Sequence, residues 1–316
     1  MFAAVALTSP VSGADRTGFP TGRRTPVMDE RAALEALATS VPAAGDDCAV
    51  VDGSVLTTDM LHERTDFPDG TTRYTAGWRA VGASLSDVAA MGAEARAAVA
   101  VYAAPELEGD SLQAFVDGAR DVCEVCGAEY VGGDLDSHDE FTAATTALGR
   151  TDDPVLRSGA EPGEAVCVTG RLGRSAAALE LFAAGEHDRA NDRFRFVPRV
   201  AAGEAIAPHA GAMMDVSDGL ARSLHQLADA SDCGFAVETP LPVADSVREV
   251  ATDAAEQREL SVFFGEDFEL LFTVPERALD AVREATPVEV SRLGTVVESG
   301  VTLDGDPLDD RGYTHG

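Results

Sequence analysis

The chain contains no lysine; all 24 of its basic residues are arginine. This excludes two common ways of holding a nucleotide, the P-loop lysine and the kinase strand lysine. Any phosphate chemistry must rest on metal ions, Arg and backbone N–H groups. Long apolar runs are also missing. None approaches the ~18 residues needed to cross a bilayer. The first residues, MFAAVALTSPVSG, have no basic stretch ahead of their short apolar run. No signal peptide is expected, and the chain is read as cytoplasmic. Cysteine is sparse and odd in number: Cys48, Cys123, Cys126, Cys167 and Cys233. Cys123 and Cys126 form a CxxC without a second pair, so they are read as reduced, packed thiols rather than a zinc or redox centre. The six His suggest no dyad.

Acid is what the chain has in excess. Its 55 Asp and Glu give a net charge of −31 and a pI near 4.3. The charge is spread along the whole length, as expected of a solvated acidic surface that stays soluble in high salt. Partnership with nucleic acid or an anionic membrane is disfavoured.

A length of 316 residues predicts two domains, and 45% hydrophobic content is enough for real cores. Residues 1–27 show no periodicity and read as a disordered or mis-assigned extension. Met28 reads as the natural start, opening the helical segment DERAALEALATS. Asp52-Gly53 joins two β-branched runs, Cys48–Val51 and Val55–Thr58, a hairpin signal. Tyr74–Met91 is helical, with Trp78, Val81, Leu85 and Val88 on one stripe. A strand at Ala97–Ala103, a helix at Asp110–Gly127 and strands at Ala128–Val131 and Phe141–Leu148 follow. The Pro-, Gly- and Asp-rich stretch Arg150–Glu164 is the expected junction, dividing the chain into residues 28–150 and 151–316. The second part restarts with strand Ala165–Thr169 and helix Arg174–Ala184. Helix Leu220–Ala230, strands Phe235–Glu238 and Phe268–Val274, helix Glu276–Glu284 and a closing strand pair over Val288–Leu303 complete it. The fold class is mixed α/β (α+β), without an internal repeat.

Six short acidic motifs punctuate these elements: GDDCAVV (Gly45–Val51), TTDM (Thr57–Met60), LSDVAAMG (Leu85–Gly92), GGD (Gly132–Asp134), DVSDGL (Asp215–Leu220) and GEDFELLF (Gly265–Phe272). Carboxylates gathered in one cleft repel one another unless cations lie between them. Such hard oxygen ligands suit Mg²⁺ working with phosphates. In the hairpin, Val51 pairs with Ser54, so continued pairing would set Asp47 opposite Thr58 and Asp46 opposite Asp59. Either the strands fray before those acids, or a cation fills the open end with oxygen from Thr57 and Thr58. Strict alternation puts Asp47 and Asp59 on opposite faces, so one metal cluster would require a bulge or strand end. Asp87 lies far round its helix from the apolar stripe. Asp134 follows two glycines at an expected strand end, where backbone can approach phosphate closely. Ser217 or Asp218 could simply cap the following helix, or join Asp215 around a metal–phosphate.

Taken in order, GDDCAVV, TTDMLHERTDF, GWRAVGASLSDVAAMG, GGD, LRSGAEPGEAVCVTGRLGRSAAAL, DVSDGL, GEDFELLFTVP and the ending GYTHG resemble the thiamine-monophosphate kinases, over about residues 29–316. The resemblance implies the two-domain architecture shared with aminoimidazole ribonucleotide synthetase. Its first domains pair their sheets across a homodimer and carry ATP and metal, with ATP lying in the cleft between the domains. It implies Mg²⁺ ligation by Asp47, Thr57, Thr58, Asp59, Asp87, Asp134, Asp215 and Asp218. It implies ATP contacts from Gly133, Asp134, Arg157 and Ser217, and substrate contacts from Glu266 and Tyr313. Asp66 stands at the substrate position where many members carry His. Transfer from ATP to thiamine monophosphate would then depend most on Asp59, Asp134 and Arg157. The alternatives are a sibling ATP-dependent synthetase, which would be expected to bring a catalytic Cys or a lysine, and a non-catalytic nucleotide- or cation-binding protein.

Overall fold

The computed structural model describes residue 41 and residues 45–313. The expected helix from Met28 and the reading of residues 1–27 lie outside the described residues.

The hairpin forms as expected. Strand β1 (Ala49–Val51) pairs with β2 (Ser54–His62) through Val51↔Ser54, around Asp52 at φ 49° and Gly53 at φ 73°. Alternation along β2 points Val55 into the core and leaves Leu56 and Met60 exposed. A single turn, α1 (Glu63–Asp66), leads to the long helix α2 (Arg73–Ala90). Its predicted stripe is the buried one: Val81, Leu85 and Val88 are fully buried and Trp78 packs against the same core. Strand β3 (Glu94–Ala104), helix α3 (Gly109–Val125), β4 (Glu129–Ser137) and β5 (Thr142–Arg150) complete a five-stranded sheet, ordered β1-β2-β5-β3-β4. Helices α2 and α3 meet backbone to backbone. A Cβ on Gly77 would come within 2.0 Å of the Phe115 carbonyl oxygen, and one on Gly118 within 2.0 Å of that of Tyr74.

After the irregular residues 151–164, strand β6 (Ala165–Thr169) appears where expected. Helix α4 (Arg174–Ala183) follows. Then come α5 (His187–Phe194), α6 (Val200–Ile206) and β7 (Met213–Asp215), three elements too short or too polar to announce themselves. Helix α7 (Leu220–Ser231), β8 (Gly234–Val237), α8 (Asp245–Val250), α9 (Ala254–Arg258), β9 (Leu270–Val274) and α10 (Leu279–Ala285) lead to the last strands. These are β10 (Val290–Val297), β11 (Gly300–Leu303) and β12 (Asp306–Pro307). The seven-stranded sheet runs β12-β11-β8-β10-β6-β9-β7.

Two expectations are corrected. Strands β10 and β11 do not pair with each other; both flank β8, antiparallel and parallel respectively. Gly132-Gly133-Asp134 is not at a strand end, because β4 continues through it to Ser137 in parallel register with β3.

One apolar cluster spans the two sheets. Val55, Leu85 and Val88 pack in the same cluster as Ala165, Met213, Leu270 and Phe272. Helix α2 also touches the second half through backbone, since a Cβ on Gly203 of α6 would lie 2.2 Å from the Ala89 carbonyl. Close helix contacts of this kind predict that Gly118→Ala lowers unfolding free energy by about 1–3 kcal/mol through overpacking. Gly109→Ala, with nothing within 4 Å of the added carbon, stays within about 0.5 kcal/mol. Chemical denaturation at fixed high KCl measures both.

Candidate active site

Helix α2 delivers one side of the site. Asp87 sits off its buried stripe, as expected, yet it points toward the other half of the chain rather than into water. One oxygen each from Asp47, Asp87 and Asp215 lie within 4.8 Å of one another. Asp47 arrives because the chain leaves β1 at Cys48, so Asp46 and Asp47 escape strand pairing with Thr58 and Asp59. A strand end does the re-aiming that strict alternation would forbid. Asp215 ends β7 and is fully buried. At that spacing each carboxylate pair repels by roughly 3 kcal/mol in an effective dielectric of about 20.

Hydroxyl groups hold the acids in place. Thr57 Oγ1 donates to Asp87 (2.6 Å), Ser84 Oγ to Asp59 (2.6 Å) and Ser86 Oγ to Asp215 (2.6 Å). Among the described residues one cation enters the group: Arg157 grips Asp47 with Nη2 at 2.8 Å and Nε at 3.3 Å, and its backbone N–H donates to Asp46 (3.0 Å). Burial pushes the carboxyls of Asp59, Asp87 and Asp215 above the ordinary range. Asp215 rises to about 7 through burial and then the Asp47 charge. Asp46 reaches about 6 for the same two reasons. Hard oxygens, crowded and short of positive charge, match a divalent cation.

A second group forms around the turn after β7. The capping position of α7 is Gly219, which leaves Ser217 and Asp218 outside the cap role the sequence allowed them. The Ser217 carbonyl accepts the Glu266 N–H (2.6 Å), and the Asp218 carbonyl accepts the Tyr313 N–H (3.0 Å). Four of the residues expected at ATP, metal and substrate therefore share one turn.

Other expected residues lie apart. Thr58 projects to the opposite face of β2 from Thr57, and its hydroxyl donates to the Thr145 carbonyl (2.8 Å). Asp66 is buried and turned back, accepting from the His62 N–H (2.6 Å) and Thr65 Oγ1 (2.9 Å). Asp134 is exposed on edge strand β4, accepting its neighbour Leu135 N–H (2.9 Å). The sheet order sets β4 three strands from β2, about 14 Å. Asp134 therefore does not join the acid cluster of its own chain. Gly133 has a packing reason to be glycine: a Cβ there would lie 1.7 Å from the Ala100 carbonyl. Beside Gly132, Gly133 and Asp134 opens a cleft of about 330 Å³, floored by Tyr102, Phe115 and Tyr130. Sequence reasoning missed Ser84, Ser86 and this aromatic floor, which depend on contacts remote in the chain.

Residues 45–151 match the AIR synthase related protein, N-terminal domain, and residues 161–305 its C-terminal domain. A thiamine-monophosphate kinase of Halobacterium salinarum is 62% identical over 291 residues, covering 91% of this chain and all of that one. The chain belongs to the thiamine-monophosphate kinase family. A family member from Methanospirillum hungatei is 40% identical over 302 residues, covering 91% of this chain and 99% of that one. Among solved structures, AaThiL complexed with AMPPCP and TMP superposes with a TM-score of 0.84 at 28% identity, covering 94% of this chain and 100% of that chain. The mixed α/β, two-domain fold expected from the sequence is the fold of this family, and the acidic composition accords with the Halobacterium relative.

The raised carboxyls carry a pH dependence. Each binds its proton more tightly in the folded chain than in the unfolded one. Their contribution to metal-free stability is thus full below about pH 4 and is lost as pH rises through about 7. A divalent cation needs the deprotonated forms. At fixed high KCl, the gain in melting temperature from MgCl₂ over EDTA should be small near pH 5 and grow toward pH 8. Asp215→Asn should flatten that rise.

Proposed function

We propose that this chain transfers the γ-phosphoryl group of ATP to thiamine monophosphate, giving ADP and thiamine diphosphate. The observation that carries the reading is the meeting of Asp47, Asp87 and Asp215, drawn from both halves of a thiamine-monophosphate kinase family chain. These three, with Asp59, Thr57 and Asp218 nearby in the fold, are the residues that would hold Mg²⁺. The bound ions would supply the charge neutralisation that lets two anionic phosphates approach. The acceptor is a phosphate oxygen, anionic near neutral pH, so the reaction asks no side chain to act as a strong base. No phosphoenzyme is required. Arg157 keeps Asp47 aimed into the cluster and adds the only guanidinium hydrogen-bonded to it among the described residues. Ser217 borders the same turn. Glu266 and Tyr313, carried to that turn by backbone hydrogen bonds, would face the thiamine side. Residues 28–150 would then be the ATP- and metal-binding half, acting with residues 151–316. An ATP-consuming reaction is assigned to the cytoplasm; no helix among the described residues is long and apolar enough to span a membrane.

Asp134 calls for a second copy of the chain. The register sets it level with Val101, Ala144 and Met60 across the sheet. That row belongs to the face away from α2, where Leu56, Met60, Val101 and Leu148 are exposed. Pairing this face with its equivalent in a homodimer would cover the apolar side chains and set Asp134 against the partner chain. The cleft beside Gly133, lined by Tyr102, Phe115 and Tyr130 on the α3 side of β4, is apolar enough for a nucleotide base.

ADP release from MgATP should be strongly stimulated by thiamine monophosphate, and Asp59→Asn should remove it by about 100-fold or more while the fold persists. Release indifferent to thiamine monophosphate would reject the reading. Mixing inactive Asp134→Asn and Asp59→Asn chains should restore about a quarter of normal activity, since random pairing makes half the dimers hybrid with one intact site each. Absence of any recovery would place Asp134 at its own chain's site.

A further inference from the structure

Glu266 is held in an unusual way. It lies at φ 55°, between Gly265 at φ 96° and Asp267, with Phe268 at φ 53°. Residues with a Cβ rarely adopt this region, and they do so when surroundings dictate it. Here the surroundings are explicit. The Glu266 N–H donates to the Ser217 carbonyl (2.6 Å), and its own carbonyl accepts from Ser175 Oγ (2.6 Å). Asp267 accepts from the N–H groups of Gly173 (2.7 Å) and Arg174 (2.9 Å) at the start of α4. A Cβ on Gly265 would lie 2.5 Å from the Ser217 carbonyl, so the loop fits against that turn without slack.

The side chain is fixed from the other half of the molecule. Arg79, on α2, has Nη2 3.1 Å from Glu266 Oε2, with the Arg side chain 4% exposed and the Glu side chain 21%. Arg79 is itself locked. Its Nη1 donates to the Phe194 carbonyl (2.5 Å) and to Ser175 Oγ (3.3 Å), and its guanidinium carbon lies 3.5 Å from the centre of the Phe194 ring. Phe196 and Phe268, stacked at 4.0 Å, close the same pocket. A buried, planar cation aimed at a partly open carboxylate is an orienting device, because the fork fixes direction as well as charge.

Arg79 and Asp87 stand eight residues apart on one helix, an axial rise of about 12 Å. The last turns of α2 therefore meet the acid cluster, and a point about two turns earlier, near mid-helix, meets Glu266. We infer that Arg79 is a positioning residue for the acceptor substrate, orienting the Glu266 carboxylate toward the organic end of the molecule whose phosphate lies at the acid cluster. The inference rests on the kinase reading proposed above. Arg79 touches Glu266, not the reacting phosphates, so its effect should fall on acceptor binding and leave ATP binding alone.

The test is steady-state kinetics of the full chain with ATP and thiamine monophosphate varied separately, in Arg79→Met, Arg79→Lys, Glu266→Gln and the Arg79→Met/Glu266→Gln pair. Arg79→Met should raise the KM for thiamine monophosphate about tenfold or more, the cost of one charge-assisted hydrogen bond, with the ATP KM within about twofold of normal. Arg79→Lys, which keeps the charge and loses the fork, should recover part of that loss. The double variant should be no worse than the worse single one, because both remove the same interaction. Equal rises in both KM values, additive losses in the double variant, or an unmoved acceptor KM in Arg79→Met would overturn the inference. Should Arg79→Met fail to fold, Arg79→Lys decides: a raised acceptor KM with normal ATP KM supports the role, and normal values for both overturn it. A wild-type chain that turns over no thiamine monophosphate overturns the kinase reading and the inference together. A normal wild type with an indifferent Arg79→Met overturns the inference alone.

Discussion

Repulsion among Asp47, Asp87 and Asp215 is the constraint around which the rest of the molecule is arranged. Three carboxylates within 4.8 Å of one another would push their elements apart in water-poor surroundings. The fold opposes this with hydroxyl donors placed one per acid, from Ser86 to Asp215 and Thr57 to Asp87, and with the two-point grip of Arg157 on Asp47. None of these neutralises the group. They aim it, and leave it short of positive charge, which is the condition a site for metal and phosphate requires. The packing of α2 against both sheets supplies the rigidity that keeps the acids from relaxing away.

Part of this was legible in the residues. Asp52-Gly53 declared a hairpin and its register, the Trp78-Val81-Leu85-Val88 stripe declared which face of α2 is buried, and Ala165–Thr169 appears as a strand with the bounds expected. The offset of Asp87 from that stripe was readable as well, because helical period fixes angle. The destination of Asp134 was not. Strand order is a property of pairing between distant segments, and nothing local in Gly132-Gly133-Asp134 says that β4 is an edge three strands from β2. The same holds for Ser84, Ser86 and Arg79, ordinary helix residues until Asp59, Asp215 and Glu266 arrive from 25, 129 and 187 positions away. Asp66 also has a local bond that the sequence did not announce: its carboxylate accepts the His62 N–H four residues back.

The missing lysine also finds its place. Where the structure needs a buried cation it uses the planar fork: Arg157 on Asp47, Arg79 on Glu266, Arg199 on Glu269 through two bonds of 2.7 and 2.5 Å. An ammonium would offer charge without direction. Each of these three pairs joins residues at least 70 positions apart, so the arginines act as long-range clasps in a chain whose surface charge contributes little to holding it together.

The apolar cluster that spans both sheets bears on how the chain is made. During synthesis, residues up to 150 leave the ribosome with α2 already able to form, yet the apolar cluster that takes in Val88, Ala89 and Met91 also draws on Met213, Leu270 and Phe272, which follow much later. For that interval the nascent first half carries a bare hydrophobic helix face. High concentrations of excluded salts strengthen apolar attraction and so favour premature contacts at that face. An organism that keeps its cytoplasm salty would gain from slow translation or chaperone cover between the two halves, and a laboratory host that translates quickly would be expected to yield the first half trapped in aggregates.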